Sequence, residues 1–347
     1  MKKQILILSC ILMAFTACQK EETAINSTDF TQSTYQSVIL PLHKTFIQKL
    51  KNLQSAVNAF STDLSMEKLN NVKTEWEGSY LSYTPTKAFN IDNIKDNYSH
   101  LYFQKFPVDT QKVNMLVNTD PNNAIVSSNA KGLAAIEYLL YRNAALDSFQ
   151  NNANTLLYLQ ALTNDLAIKA NELNVMWEDN DSKYIQNKEI SSDNAFNQLV
   201  NGIIQFTENL KMLKVGNPLG KQSLDNPNHL LSQAPYSNTS KKGIQTDFQL
   251  LYKLWSGGKF LKLEESVGLR ELLQNKNKEL CNNIDEAFNQ LEKDIQALPT
   301  DLNTAFENMD ERVNKLYTDL NNLYILLKVD LSAQLDVTVF ISDLDGD

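Results

Sequence analysis

The stretch KGLAAIEYLLY, residues 131–141, carries one acid, Glu137, in a run otherwise apolar enough to be core. On a helix its neighbours three and four residues away are Leu133, Ala134, Leu140 and Tyr141, and none of them can pair with a carboxylate. Burying a lone carboxylate is unfavourable unless it is paired, protonated or bound to a metal. Glu137 therefore marks either an ion pair with a distant Arg or Lys, or a site.

Other candidate chemistry is sparse. His43, His100 and His229 are too far apart in sequence for any two to share a helical face, and no HExxH zinc motif occurs. Each is expected to be an ordinary surface or capping residue. GxSxG, GxxxxGK[ST] and GxGxxG are all absent, so a nucleophile elbow and a phosphate loop have no support. Cys281 lies in a Lys/Asn-rich helical segment with no His nearby and reads as a structural thiol. The end of the chain, Asp343-Leu344-Asp345-Gly346-Asp347, opens like a calcium loop but stops before the distal carboxylate that completes one.

The elements that must position Glu137 are helices. The 347 residues include only 10 Gly and 8 Pro, few of the two residues that break helices, which favours an all-α fold. Apolar residues recur at helical spacing from Phe46 through Leu50, Leu53, Val57 and Phe60, around Trp76, over 133–141, and along Leu156, Leu159, Leu162, Leu166, Leu173 and Trp177. The polar stretch 178–192 then reads as a connection, and Asp193 is placed to cap a helix bearing Phe196, Leu199, Val200, Ile203 and Phe206. A Gly/Pro/Ser-rich interruption covers 216–240, helical patterning resumes over 248–255 and 265–335, and Val337 to Ile341 reads as extended. Two helical bundles are expected, 35–180 and 181–347.

The first residues stand outside that fold. Met1-Lys2-Lys3, an apolar run from Ile5 to Phe15 and the ending Phe15-Thr16-Ala17-Cys18 resemble a bacterial lipoprotein signal peptide over residues 1–17, with Cys18 as the lipidated residue. Residues 18–34 are polar and read as a tether to a membrane held through that lipid. Gln19-Lys20-Glu21-Glu22 looks like a signal for the outer face of the outer membrane, so a cell-envelope, surface-exposed lipoprotein is expected. Removing the leader takes away Lys2 and Lys3 and no acid, moving the formal charge from −9 to −11. A net-acidic chain without a basic run excludes nucleic acid as an expected partner.

The motif around Glu137 resembles the GxHxxE motif of the imelysin-like family, peptidase family M75: Gly132, Ile136, Glu137, Leu139 and Leu140 match, and Ala134 stands where the histidine belongs. Other pieces follow in the family's order: Trp76 with Thr86-Lys87-Ala88-Phe89 resembles W…TEAF, Phe106-Pro107-Val108-Asp109 resembles WPLD, and Ala195-Phe196 with Leu199 and Asn201-Gly202 resembles the opening of the second half. Tyr236-Ser237 resembles an FS element, Leu254-Trp255-Ser256-Gly257 an LW-x-G element, and Asp345-Gly346-Asp347 the terminal DGD.

The resemblance implies two helical bundles related by a pseudo-twofold, with the motif glutamate near their junction. It also implies a cell-envelope protein linked to iron acquisition, some relatives being described as metallopeptidases. The ancestral site would include Trp76, Asp109, Gly132, Ala134, Glu137, Tyr236 and Ser237, with Glu137 the candidate metal ligand and iron, haem or zinc the candidate cofactors. Departures follow from the same alignment: Ala134 offers no lone pair, the family's arginine falls at Tyr80, and its TEAF glutamate at Lys87. A non-enzymatic binding protein serving an iron or haem uptake system is the leading expectation. A metallopeptidase drawing ligands from elsewhere, such as Asp109 or an isolated histidine, and a scaffold whose ancestral site is now filled core are the alternatives.

Overall fold

The computed structural model describes residues 25–96, 100–121, 128–186, 194–222, 226–258 and 263–340. Among these no strand forms, and the fold is all-α as its sparse Gly and Pro predict. Cys18, Asp193 and the terminal Asp343 to Asp347 lie outside the described residues.

The first helices are α1 (Ser27–Thr34), α2 (Leu40–Thr62), α3 (Met66–Tyr83), α4 (Asp92–Asp96) and α5 (His100–Phe103). After them come α6 (Thr110–Thr119), α7 (Gly132–Tyr141), α8 (Ala145–Asn151) and α9 (Ala153–Glu178). Helix α2 buries Leu42, Phe46, Leu50, Leu53, Val57 and Phe60, a stripe at three- and four-residue spacing, against α3 and α9. Each such side chain contributes roughly 1.5–3 kcal/mol when fully buried, so this stripe anchors the first half.

The second half comprises α10 (Ala195–Asn209), α11 (Ser240–Ser256), α12 (Leu269–Gln274), α13 (Lys278–Ala297), α14 (Leu302–Glu307), α15 (Glu311–Ile325) and α16 (Ser332–Gln334). Helix α13 packs on α15 and α11, and α15 on α10. The cap of α10 is Asn194, whose side chain accepts from the Asn197 N–H. The two halves meet where α3 and the 3₁₀ segment Thr84–Phe89 pack on α11, and where that segment and α1 pack on α10.

Two local expectations change. Residues 18–34 do not all form a tether, because Asn26 and Asp29 close a capping box that starts α1 and Phe30 is buried against Phe196 in an edge-to-face contact at 5.9 Å. Val337–Phe340 pairs with no strand. Instead Asn197 and Asn201 on α10 hydrogen-bond the N–H and carbonyl of Thr338, and Asn201 accepts from the Phe340 N–H. Two side-chain amides on one helical face thus replace a strand partner.

Candidate functional site

Helix α7 begins with a constraint. Gly132 has φ +74°, and a Cβ there would lie 2.4 Å from the Phe103 carbonyl oxygen, so the motif's glycine is required both by its backbone conformation and by the close approach of the chain at Phe103 and Gln104. The indole N–H of Trp76 donates to the Leu133 carbonyl at 2.9 Å and its ring stacks on Tyr80 at 5.5 Å, tying the first turn of α7 to α3.

One turn further, Glu137 is 0 % exposed. Its Oε1 accepts from both the backbone N–H (2.8 Å) and the hydroxyl (2.7 Å) of Ser237. Its Oε2 is buried and accepts no hydrogen bond. The expected ion pair with Arg or Lys does not form among the described residues; serine is the partner. Burial pushes the Glu137 carboxyl up to about 8, while the Ser237 hydroxyl and the Ser237 and Tyr236 N–H groups pull the other way. At neutral pH it is therefore chiefly a protonated acid, with a proton to place on one oxygen.

The surrounding residues come from both halves. Tyr236 packs edge-to-face on Tyr138 at 5.3 Å, and burial raises its hydroxyl, with Glu137 adding to the effect. The Tyr80 hydroxyl donates to Gln233 Oε1 at 3.4 Å, and Gln233 and Gln104 bond each other, the side chain of each also in contact with the other residue. Gly243 of α11 makes room for that tyrosine, since a Cβ there would fall 2.3 Å from its oxygen. Behind it Asp247 is buried in an ion pair with Lys214.

Of the residues predicted for the site, Gly132, Ala134, Glu137, Trp76, Tyr236 and Ser237 are all on or against α7. Asp109 is elsewhere in role: it is exposed and caps α6, accepting from the Lys112 N–H at 2.8 Å. Ala134 is 2 % exposed. Tyr80, Gln104, Gln233, Gly243 and the Lys214–Asp247 pair were not anticipated. The signal was an acid and a lysine on the otherwise apolar faces of their helical segments, the pattern that singled out Glu137.

The donor set does not fit a zinc or iron centre. Such a centre needs several N, O or S ligands arranged around one point. Glu137 offers one uncommitted oxygen, Ala134 offers nothing, and no group of three or more His, Cys, Asp or Glu able to hold a metal occurs among the described residues.

The sequence profile of imelysin, peptidase family M75, matches residues 39–327. The chain belongs to the imelysin family. Two solved structures share the imelysin-like fold. One, described as a putative iron-regulated protein A precursor from Parabacteroides distasonis, has a TM-score of 0.75 at 15 % identity, with 89 % of this chain and 95 % of that chain covered. The other, an imelysin-like protein from Psychrobacter arcticum, has a TM-score of 0.74 at 17 % identity, covering 91 % and 97 %. No curated protein matches at the sequence level.

The histidines depart from expectation. His229 lies near the surface, its Nδ1 2.5 Å from Glu307 Oε1. His43 is instead buried, donating from Nδ1 to the Ile39 carbonyl at 2.8 Å and packing on Trp177. It lines one cavity with His100 and Lys87, residues that sequence distance separated and helix packing brings together. Cys281 is buried, and burial raises its thiol, as a structural role requires.

Proposed function

We propose that this imelysin-family protein is a non-enzymatic binding lipoprotein of the cell envelope, anchored through Cys18 and serving an iron or haem uptake system. The observation that carries the non-enzymatic half is the state of Glu137: a buried carboxyl, raised to about 8, held by two donors from Ser237 and facing no imidazole. A metallopeptidase needs a held metal and a positioned base to activate water, and no imidazole or second acid joins Glu137 to hold a metal among the described residues. The iron half is supported by the similar fold described as iron-regulated in Parabacteroides distasonis, and the envelope half by the leader over residues 1–17. Among the described residues no helix is long and apolar enough to cross a membrane.

One observation favours the scaffold reading as a second choice. Ser237 and Glu137 join the two halves through two hydrogen bonds to Oε1, as a filled ancestral site would.

The test has two arms. A strain lacking the gene is expected to grow poorly on limiting iron or haem, with rescue by the wild-type gene and none by a Cys18→Ala variant. Normal growth of that strain on every iron source removes the iron assignment, and rescue by the variant removes the anchor. The purified mature domain is expected to cleave no broad peptide pool, with or without added zinc; zinc-dependent cleavage would overturn the non-enzymatic reading.

A further inference from the structure

The cavity that His43, His100 and Lys87 share has about 20 Å³ of free space, enough for one water-sized occupant. Its walls otherwise include Phe89, Phe103 and Leu173. The polar groups around it divide into those already committed and those still open. Thr86 donates its hydroxyl to the Tyr83 carbonyl, Tyr83 donates to the His100 carbonyl, and His43 donates from Nδ1 to Ile39. Three are left with capacity. Lys87 forms no hydrogen bond or ion pair among the described residues, only a contact with the Phe106 ring at 5.5 Å. His100 Nδ1 is buried without a partner, and so is the side-chain oxygen of Asn90, an amide whose oxygen and nitrogen exchange places by a simple flip.

Lys87 senses Lys214 as a repelling cation and Asp247 as an attracting anion, and Asp247 is already paired with Lys214. His43 and His100 are both held neutral by burial, down to about 4, and Lys95 adds a further positive charge near His100. Among the described side chains, Lys87 and the exposed Lys95 stand beside the paired Lys214 and Asp247. An unpaired ammonium beside a small cavity with open donors is complemented by a small anion.

We propose that this cavity is a binding site for a chloride-sized monovalent anion, held by the Lys87 ammonium with the His100 ring N–H and the Asn90 amide as further donors. Bound there, the ion ties the 3₁₀ segment Thr84–Phe89 to α5, close to where that segment packs on α11.

The probe is bromide. Crystals of the wild-type protein grown in sodium bromide are expected to show a bromide anomalous peak inside the cavity. In solution, chloride or bromide is expected to raise the melting temperature by about 2 °C per tenfold of salt above half-saturation, relative to isethionate of the same ionic strength, an anion too large for the cavity. Lys87→Met should lose both the peak and the salt-specific rise. Should that variant fail to fold, the wild-type protein still decides: the rise is expected to shrink between pH 7 and pH 9.5, because burial and the Lys214 cation bring the Lys87 amine down to about 8. A cavity holding only water at saturating bromide, bromide retained in Lys87→Met, or equal stabilisation by isethionate each overturns the assignment.

Discussion

At the scale of single residues, the motif separates into positions fixed by sterics and positions free to change chemistry. Gly132 is of the first kind. Gly132→Ala places a methyl on a backbone at φ +74° and against the Phe103 carbonyl, and is expected to destabilise by at least about 2 kcal/mol, read as a drop in the urea midpoint at unchanged slope. A variant as stable as wild type would show that the loop at Phe103 yields easily. Ala134 is of the second kind: it is a small core residue, and its identity says what the site lacks. Glu137 was legible from KGLAAIEYLLY as an acid needing a partner, while Ser237 was placed beside it by the family resemblance alone. Ser237 lies 100 residues later in a turn-rich stretch, and no periodicity marks which of its many small polar residues faces a carboxyl.

At the scale of elements, helices and their apolar faces were legible because 3.6-residue spacing repeats over several turns, as along α2 and α9. Short segments were not. Helix α1 hid in a polar stretch because one capping box and one phenylalanine sustain it, and Val337–Phe340 looked like a strand because alternating apolar residues do not reveal who supplies the hydrogen bonds. Asn201 supplies them here, bonding both Thr338 and Phe340. Asn201→Ala removes those bonds and is expected to cost about 1–3 kcal/mol and to speed proteolytic loss of residues beyond 336, monitored by mass spectrometry under limiting protease. Unchanged cleavage would mean that the Asn197 bonds to Thr338 and the packing of Val337 and Val339 hold the segment without Asn201.

At the scale of the whole molecule, the buried titrating groups set an optimum pH. Between about 4 and 6.5 the unfolded chain binds more protons than the fold at His43 and His100, so stability rises with pH there. At Glu137 the fold binds the extra proton between 4.5 and about 8, so stability falls with rising pH at this group, while the last of the histidine gain and Lys87, which burial brings down to about 8, oppose it above 6.5. Maximum stability is expected near pH 6.5, with a loss under about 1 kcal/mol by pH 8 that Glu137→Gln turns into a rise. Denaturant titrations from pH 5 to 9 check this, and parallel curves for wild type and Glu137→Gln from 6.5 to 8 would place the Glu137 proton elsewhere. None of these groups could be assigned a direction from sequence, because burial is decided by which helices meet. That meeting also fixes how the molecule takes load. Helix α1 touches Phe196 through Phe30, Ile185 through Gln32 and Val267 through Ser33, and the chain continues from it into Tyr35, bonded to the Trp177 carbonyl. Tension applied at the N-terminal end is thus shared between contacts to both halves, so a pull from that side loads several attachments at once instead of one.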